Sequence, residues 1–236
     1  MVNRVLTAVL SVAALGAVAC AAKKAALPNP AYNVLDRYEQ DGDGEDSLFK
    51  GDAAVLSDAD IARILAAPVA IGSSNRLAVL KLGTTKYWSE EHAKAEGQTM
   101  VLFLNRLRTA SSVTTAGELP KILVPAKKTV PFLREAAARY RADLLLVYDT
   151  TVRTFSKYRA LGKDEVRAMC SVEAVLLDVR TGLVPFTARR VEEVLASHAP
   201  EDMDFSETTA KAIASAEGKA LDGIAGEVVV FLGGER

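Results

Sequence analysis

Residues 133–195, LREAAARYRADLLLVYDTTVRTFSKYRALGKDEVRAMCSVEAVLLDVRTGLVPFTARRVEEVL, carry the fold. They open on an alanine-rich amphipathic helix, followed by two long β-rich runs, Leu144 to Thr154 and Arg167 to Val179. A charged hairpin tip, SKYRALGKDEV, separates the runs. Asp178-Val179-Arg180-Thr181-Gly182 reads as a tight turn in which glycine takes the positive φ that other residues avoid. A third strand follows, so three antiparallel strands come after one helix.

Before this core, Ser57-Asp58-Ala59-Asp60 predicts a capped helix to about Ala66, closed by Pro68. The alternation in Arg76–Leu82 predicts a first strand. A loop with the single tryptophan, Trp88, leads to a long helix from about Ser89 to Arg108. Leu119–Val124 reads as a second short strand, and Thr129 as the cap of the helix that opens the core, with Pro131 tolerated in its first turn. After the hairpins, a helix from Asp204 or Ser206 to about Ile224 and a final strand over Glu227–Leu232, EVVVFL, complete the chain. The predicted order is α-β-α-β-α-β-β-β-α-β, an α/β (α+β) domain built as a two-layer mixed sheet flanked by helices.

The N-terminus sets the cellular address. Residues 1–19 hold one early cation, Arg4, and an apolar run from Val5 through Val18, too short for a membrane span of about 20 residues and typical of a signal peptide. Gly16-Ala17-Val18-Ala19-Cys20 resembles the bacterial lipobox, in which cleavage precedes a diacylglycerol-modified cysteine. An ordinary Ala-x-Ala cleavage leaving Cys20 free is the other reading. Under the first, acyl chains at Cys20 hold the protein on a membrane without a spanning helix. Residues 20–35 then form a tether, 36–56 an acidic flexible segment, and 57–236 a single globular domain. Ala21 follows the cysteine in place of Asp, which by analogy with lipoprotein sorting points to the outer membrane, facing the periplasm.

Half of the residues are apolar and the formal net charge is −1, the balance of an ordinary globular protein. The balance hides a split: Asp36–Arg63 has nine acidic and three basic residues, whereas Lys127–Arg167 has ten basic and five acidic. The acidic run does not make an EF-hand. A loop with Gly44 in sixth place ends on Lys50, where a bidentate Glu is needed. Cys170, the other of two cysteines, lies inside a predicted strand and reads as a small buried apolar residue. Two distant histidines and the lack of nucleophile-elbow, Walker or dinucleotide fingerprints leave no catalytic, metal or cofactor assignment. The candidate interaction surface is the basic tip, Lys157, Tyr158, Arg159, Lys163 and Arg167. An exported, anchored protein would meet lipid headgroups, glycan or protein there, not nucleic acid.

Ala136-Ala137-Ala138-Arg139-Tyr140-Arg141-Ala142-Asp143-Leu144-Leu145-Leu146-Val147 resembles the alanine-rich helix and Asp-initiated strand of a group of envelope proteins. The group comprises the curli-secretion-channel (CsgG-like) lipoproteins, the penicillin-binding-protein activators and the TolB amino-terminal domain. Val175–Gly182 is similar to their hydrophobic-D-x-x-T-G hairpin, and Arg76–Leu80 to their opening strand. The chain departs from a pore-forming member in lacking a pair of long amphipathic hairpins. The resemblance and the leader together imply a non-catalytic, membrane-anchored accessory or assembly factor that works through an envelope protein partner. The alternative is a periplasmic ligand-binding or enzymatic domain.

Overall fold

A computed structural model of the protein describes residues 57–68, 71–83, 90–159 and 162–233. The leader, Cys20, the tether, the acidic segment and Trp88 lie outside the described residues. The elements are α1 (Asp58–Ala66), β1 (Asn75–Lys81), α2 (Glu90–Leu107), β2 (Val113–Glu118), a one-turn 3-10 helix (Lys121–Leu123), α3 (Val130–Arg139), β3 (Leu144–Lys157), β4 (Glu165–Asp178), β5 (Phe186–Ser197) and α4 (Phe205–Gly233). The strands form the expected mixed sheet in the order β2-β1-β3-β4-β5. β1 runs parallel to both neighbours, and β3, β4 and β5 are antiparallel.

Local chemistry explains most boundaries. Ser57 Oγ accepts the Asp60 N–H at 3.2 Å at the head of α1, and Asp204 Oδ1 accepts the Glu207 N–H at 3.0 Å at the head of α4. The β4–β5 turn closes as its sequence predicts: Thr181 Oγ1 donates to Asp178 Oδ2 at 2.6 Å and Gly182 takes φ 79°.

Two expected strands are corrected. Residues 119–124 form no strand; β2 lies one step earlier, at Val113–Glu118. Pro120 has no N–H to give a ladder, and of the apolar residues that suggested the strand Leu119 is buried while Ile122 is 92% exposed. The final strand, Glu227–Leu232, is the last two turns of α4. Its apolar residues extend a helical stripe in which Ile213, Ala220, Leu221, Ile224, Ala225, Val228 and Leu232 are all buried. Alternation would have turned Val228, Val230 and Leu232 to one side, yet Val230 is 74% exposed. Packing along the stripe outweighs the β propensity of the three valines.

α2 and α4 cover one face of the sheet, here the inner face. Leu77, Val79, Leu144, Leu146, Val152, Val172 and Leu176 meet Phe103, Leu107, Ile213 and Ile224 there. α3 covers part of the outer face, packing Leu133, Ala136 and Ala137 on Ala78, Leu80, Leu145, Val147 and Leu177. It adds a third layer at that end to the expected two. The coverage is unequal because the lengths are. At 3.3 Å per residue the fourteen residues of β3 run about 46 Å, whereas the ten residues of α3 reach about 15 Å. Among the described residues, no helix lies over the far half of the outer face.

Candidate functional site

The uncovered outer face is read row by row from the strand registers. Phe155 stands opposite Arg167, which stands opposite Leu195; Arg153, Met169 and Glu193 form the next row, and Thr151, Ser171 and Val191 the one after. Phe155 is 59% exposed, Leu195 64% and Val191 48%. Phe155 and Leu195 flank Arg167 in one row and Val191 stands two rows away, so three large apolar side chains are open to water on this face. Their parity is the signal that sequence reading missed. Val152 and Thr154 point inward, so Phe155 must point outward, and its place in an apparently ordinary hairpin concealed it.

The tip residues singled out from the sequence do not stay together. Lys157 ends β3 opposite Glu165, and Arg159 donates to Glu165 Oε2 at 2.8 Å, with its N–H on Asp164 Oδ1 at 2.9 Å. Tyr158 turns toward the inner side, its ring 5.4 Å from that of Phe205 at the start of α4. Arg167 is not at the tip: it lies within β4, one row from Glu193 and 3.1 Å from its carboxylate. Lys163 is exposed in the connection. Arg153, Lys157 and Lys163 have no carboxylate within ion-pair distance among the described residues, and Arg153 and Lys157 share the outer face with Phe155 in the rows on either side of it.

A second polar constellation lies on the inner face. Lys81 Nζ, at the end of β1, is 2.9 Å from Glu96 Oε1 on α2 and 2.8 Å from Glu217 Oε1 on α4. Burial alone would lower the Lys81 pKa, but Glu217, then Tyr148 and Glu96, more than offset it and raise it above its ordinary value. Burial, chiefly, raises the Tyr148 phenol as well. An ammonium held charged is neither base nor nucleophile, so this cluster pins α2 and α4 to β1. Sequence reading missed it, although Glu217 falls on the buried stripe of α4 beside Ala216 and Ala220. Cys170, fully buried on β4, is pushed up to about 12, mainly by burial and further by Glu217. It is the inert apolar thiol that its strand position predicts.

Concavity is found along α2 and α4, where an open groove of about 890 Å³ is lined by Leu102, Asn105, Arg106, Arg190, Lys219 and Asp222 among others. No group of three metal-ligating side chains comes together among the described residues.

No family model matches this chain, and no curated protein does. Among solved structures it resembles a protein described as a neuraminyllactose-binding hemagglutinin homologue from Helicobacter pylori, at 16% identity over 68% of this chain and 88% of that one, with a TM-score of 0.40. It also resembles the LpoB C-terminal domain from Salmonella enterica, at 12% identity over 56% and 90%, TM-score 0.31. A minor lipoprotein from Acinetobacter baumannii aligns at 13% identity over 65% and 88%, TM-score 0.30. With scores below 0.5, the reading of function stands on this chain's own residues.

Proposed function

We propose that this chain is a bacterial envelope lipoprotein that acts without catalysis, as an accessory or assembly factor. Cleavage after Ala19 exposes Cys20, whose acyl chains anchor the protein to the outer membrane, facing the periplasm. The domain then offers the uncovered half of its outer face, with the basic tip beside it, to an envelope protein. The observation behind this reading is Phe155, open to water, between Arg153 and Lys157 on β3 with Lys163 in the connection beyond, three cations without carboxylate partners in the described residues. Such a surface fits a partner with an apolar anchor ringed by carboxylates.

Two experiments test it. Cys20→Ser should move the protein from the membrane fraction to the soluble periplasmic fraction; unchanged membrane association would refute acyl anchoring. Crosslinking in intact cells should recover one envelope protein with the native chain. The combination Phe155→Asp, Lys157→Glu and Lys163→Glu should lose it about tenfold or more at nearly unchanged thermal stability, since exposed charges contribute little to folding. Equal recovery by both forms would refute this surface. The alternative, a ligand-binding domain, has the groove along α2 and α4 behind it. Saturable binding of an anionic small molecule, abolished by Arg106→Glu, would favour that reading instead.

A further inference from the structure

β5 is a twelve-residue edge strand, hydrogen-bonded to β4 on one side and, among the described residues, to no strand on the other. Long edges are ordinarily blunted by charged side chains, bulges or proline. Here the charges are ordered by sign: Ala188-Arg189-Arg190-Val191-Glu192-Glu193-Val194 reads cation, cation, apolar, anion, anion. Reversed, as an antiparallel neighbour presents it, the same string is its own complement.

We infer that β5 pairs antiparallel with β5 of a second copy of this chain, about a two-fold axis at Val191. This goes beyond the proposed function and does not rest on it. In that register Arg189 faces Glu193 of the second copy and Arg190 faces Glu192 of the second copy, each twice by symmetry. Val191 meets itself, Ala188 meets Val194, and Thr187 meets Leu195. A two-fold axis normal to the sheet keeps facing residues on the same side, so the register moves only in steps that recentre it on a neighbouring residue. Centring on Arg190 sets guanidinium on guanidinium, and centring on Glu192 sets carboxylate on carboxylate. Both are disfavoured like-charge pairs. Of the registers centred on residues 189 to 193, the Val191 register alone has no such pair at its centre.

The charges already paired within one copy extend across the axis. Arg189 lies 3.2 Å from Glu173 and Glu193 lies 3.1 Å from Arg167. On the outer face the dimer therefore lines up Glu173, Arg189, then Glu193 and Arg167 of the second copy, alternating in sign. The inner face leaves room. α4 lies over β4 and β5, and with strands about 4.8 Å apart the two α4 axes come to about 10 Å, a packing distance for helices. On the flank of α4 beside β5, Arg190 lies across Gly223 and reaches Glu227 at 3.7 Å and Glu192 of its own copy at 3.2 Å, so Glu192 of the second copy joins a cluster that already alternates in sign.

The test uses the full chain in detergent. Sedimentation should show a dimer, and oxidation should crosslink Val191→Cys to itself while Thr187→Cys, which faces Leu195 of the second copy, stays uncrosslinked. The variants Arg189→Glu/Arg190→Glu and Glu192→Arg/Glu193→Arg should each dimerise about 100-fold more weakly or worse. Mixed together they should form a heterodimer. A monomeric native chain at about 100 μM, a dimer indifferent to both reversals, or equal crosslinking at positions 187 and 191 would each overturn the inference. Should the reversed variants fail to fold, the two cysteine variants decide it alone.

Discussion

Lys81 Nζ donates to Glu217 Oε1 at 2.8 Å, joining the end of the first strand to the middle of the last helix. The bond closes the inner face at the point where two helices converge on the sheet, because Glu96 of α2 meets the same ammonium at 2.9 Å. The helices could reach this arrangement by apolar packing alone. The ion cluster adds a register, since α4 can slide along the sheet only by separating Glu217 from its cation.

Lys81→Met should therefore lower stability at pH 7 by about 3 kcal/mol, the order found when one partner of a buried pair is removed. A second pair of substitutions identifies the cause. Without the ammonium, the Glu96 and Glu217 carboxylates that it bridges lose their counter-charge, and replacing them by amides removes that uncompensated charge. Chemical denaturation should show Lys81→Met partly rescued by Glu96→Gln with Glu217→Gln. A deficit that the amides leave unchanged would mean that only packing was lost.

Asp143 ties three segments together at the start of β3. Its Oδ2 accepts the Arg76 N–H at 3.0 Å and its Oδ1 accepts from Arg180 Nη2 at 3.0 Å. The Arg76 N–H first, and the Arg180 guanidinium after it, hold this carboxyl below its ordinary pKa. A depressed folded pKa contributes stability above the unfolded value of about 3.9, lost as pH falls through the folded one. Asp143→Ala should cost about 1–3 kcal/mol at pH 7, and the gap between variant and native chain should narrow in titrations below about pH 4. A constant gap would contradict the electrostatic account.

Two backbone positions predict opposite effects. Arg141 ends α3 in the left-handed region, φ 61°, where Arg141 N–H bonds Ala138 O and Ala142 N–H bonds Ala137 O, each at 2.9 Å. This is a Schellman closure with a side chain at the place glycine prefers. Arg141→Gly should raise stability by about 1 kcal/mol. Gly182 sits at φ 79°, and a Cβ there would come within 2.9 Å of Arg134 Nη1. That guanidinium donates to Val179 O and Arg180 O, so Gly182→Ala should lose about 1–3 kcal/mol. Thermal melts of the two variants should move in opposite directions.

The sequence disclosed what local chemistry dictates. Asp178-x-x-Thr181-Gly182 closes its turn because side-chain acceptors and a positive φ act within five residues. The long strands around Cys170 and Leu146 were legible from unbroken apolar and β-branched runs. The EVVVFL segment was not, because its state is set by a stripe that begins at Ile213, more than three turns away. The open face was hidden for a related reason. Whether Phe155 is covered depends on where α3 ends in space, and no local pattern encodes that. The ion cluster joins residues 81, 96 and 217, whose separation along the chain has no periodicity to read.

Thiol chemistry joins the buried core to the anchor. Cys170 is fully buried and its thiol is pushed up to about 12, so at pH 8 about one molecule in ten thousand holds a thiolate there. Native protein should give no rapid reaction with a disulfide reagent at this residue. If Cys20 carries a thioether-linked diacylglycerol, it has no thiol to offer either. Protein purified from membranes should then titrate no thiol when folded and a single thiol in denaturant, and Cys20→Ser should give the same two counts. One rapidly reacting thiol in the folded native chain that vanishes in Cys20→Ser would mean that Cys20 is unmodified, and would remove the anchor. A rapid thiol that persists in Cys20→Ser would instead mean that β4 opens, since Cys170 is reached only by parting α4 from the sheet.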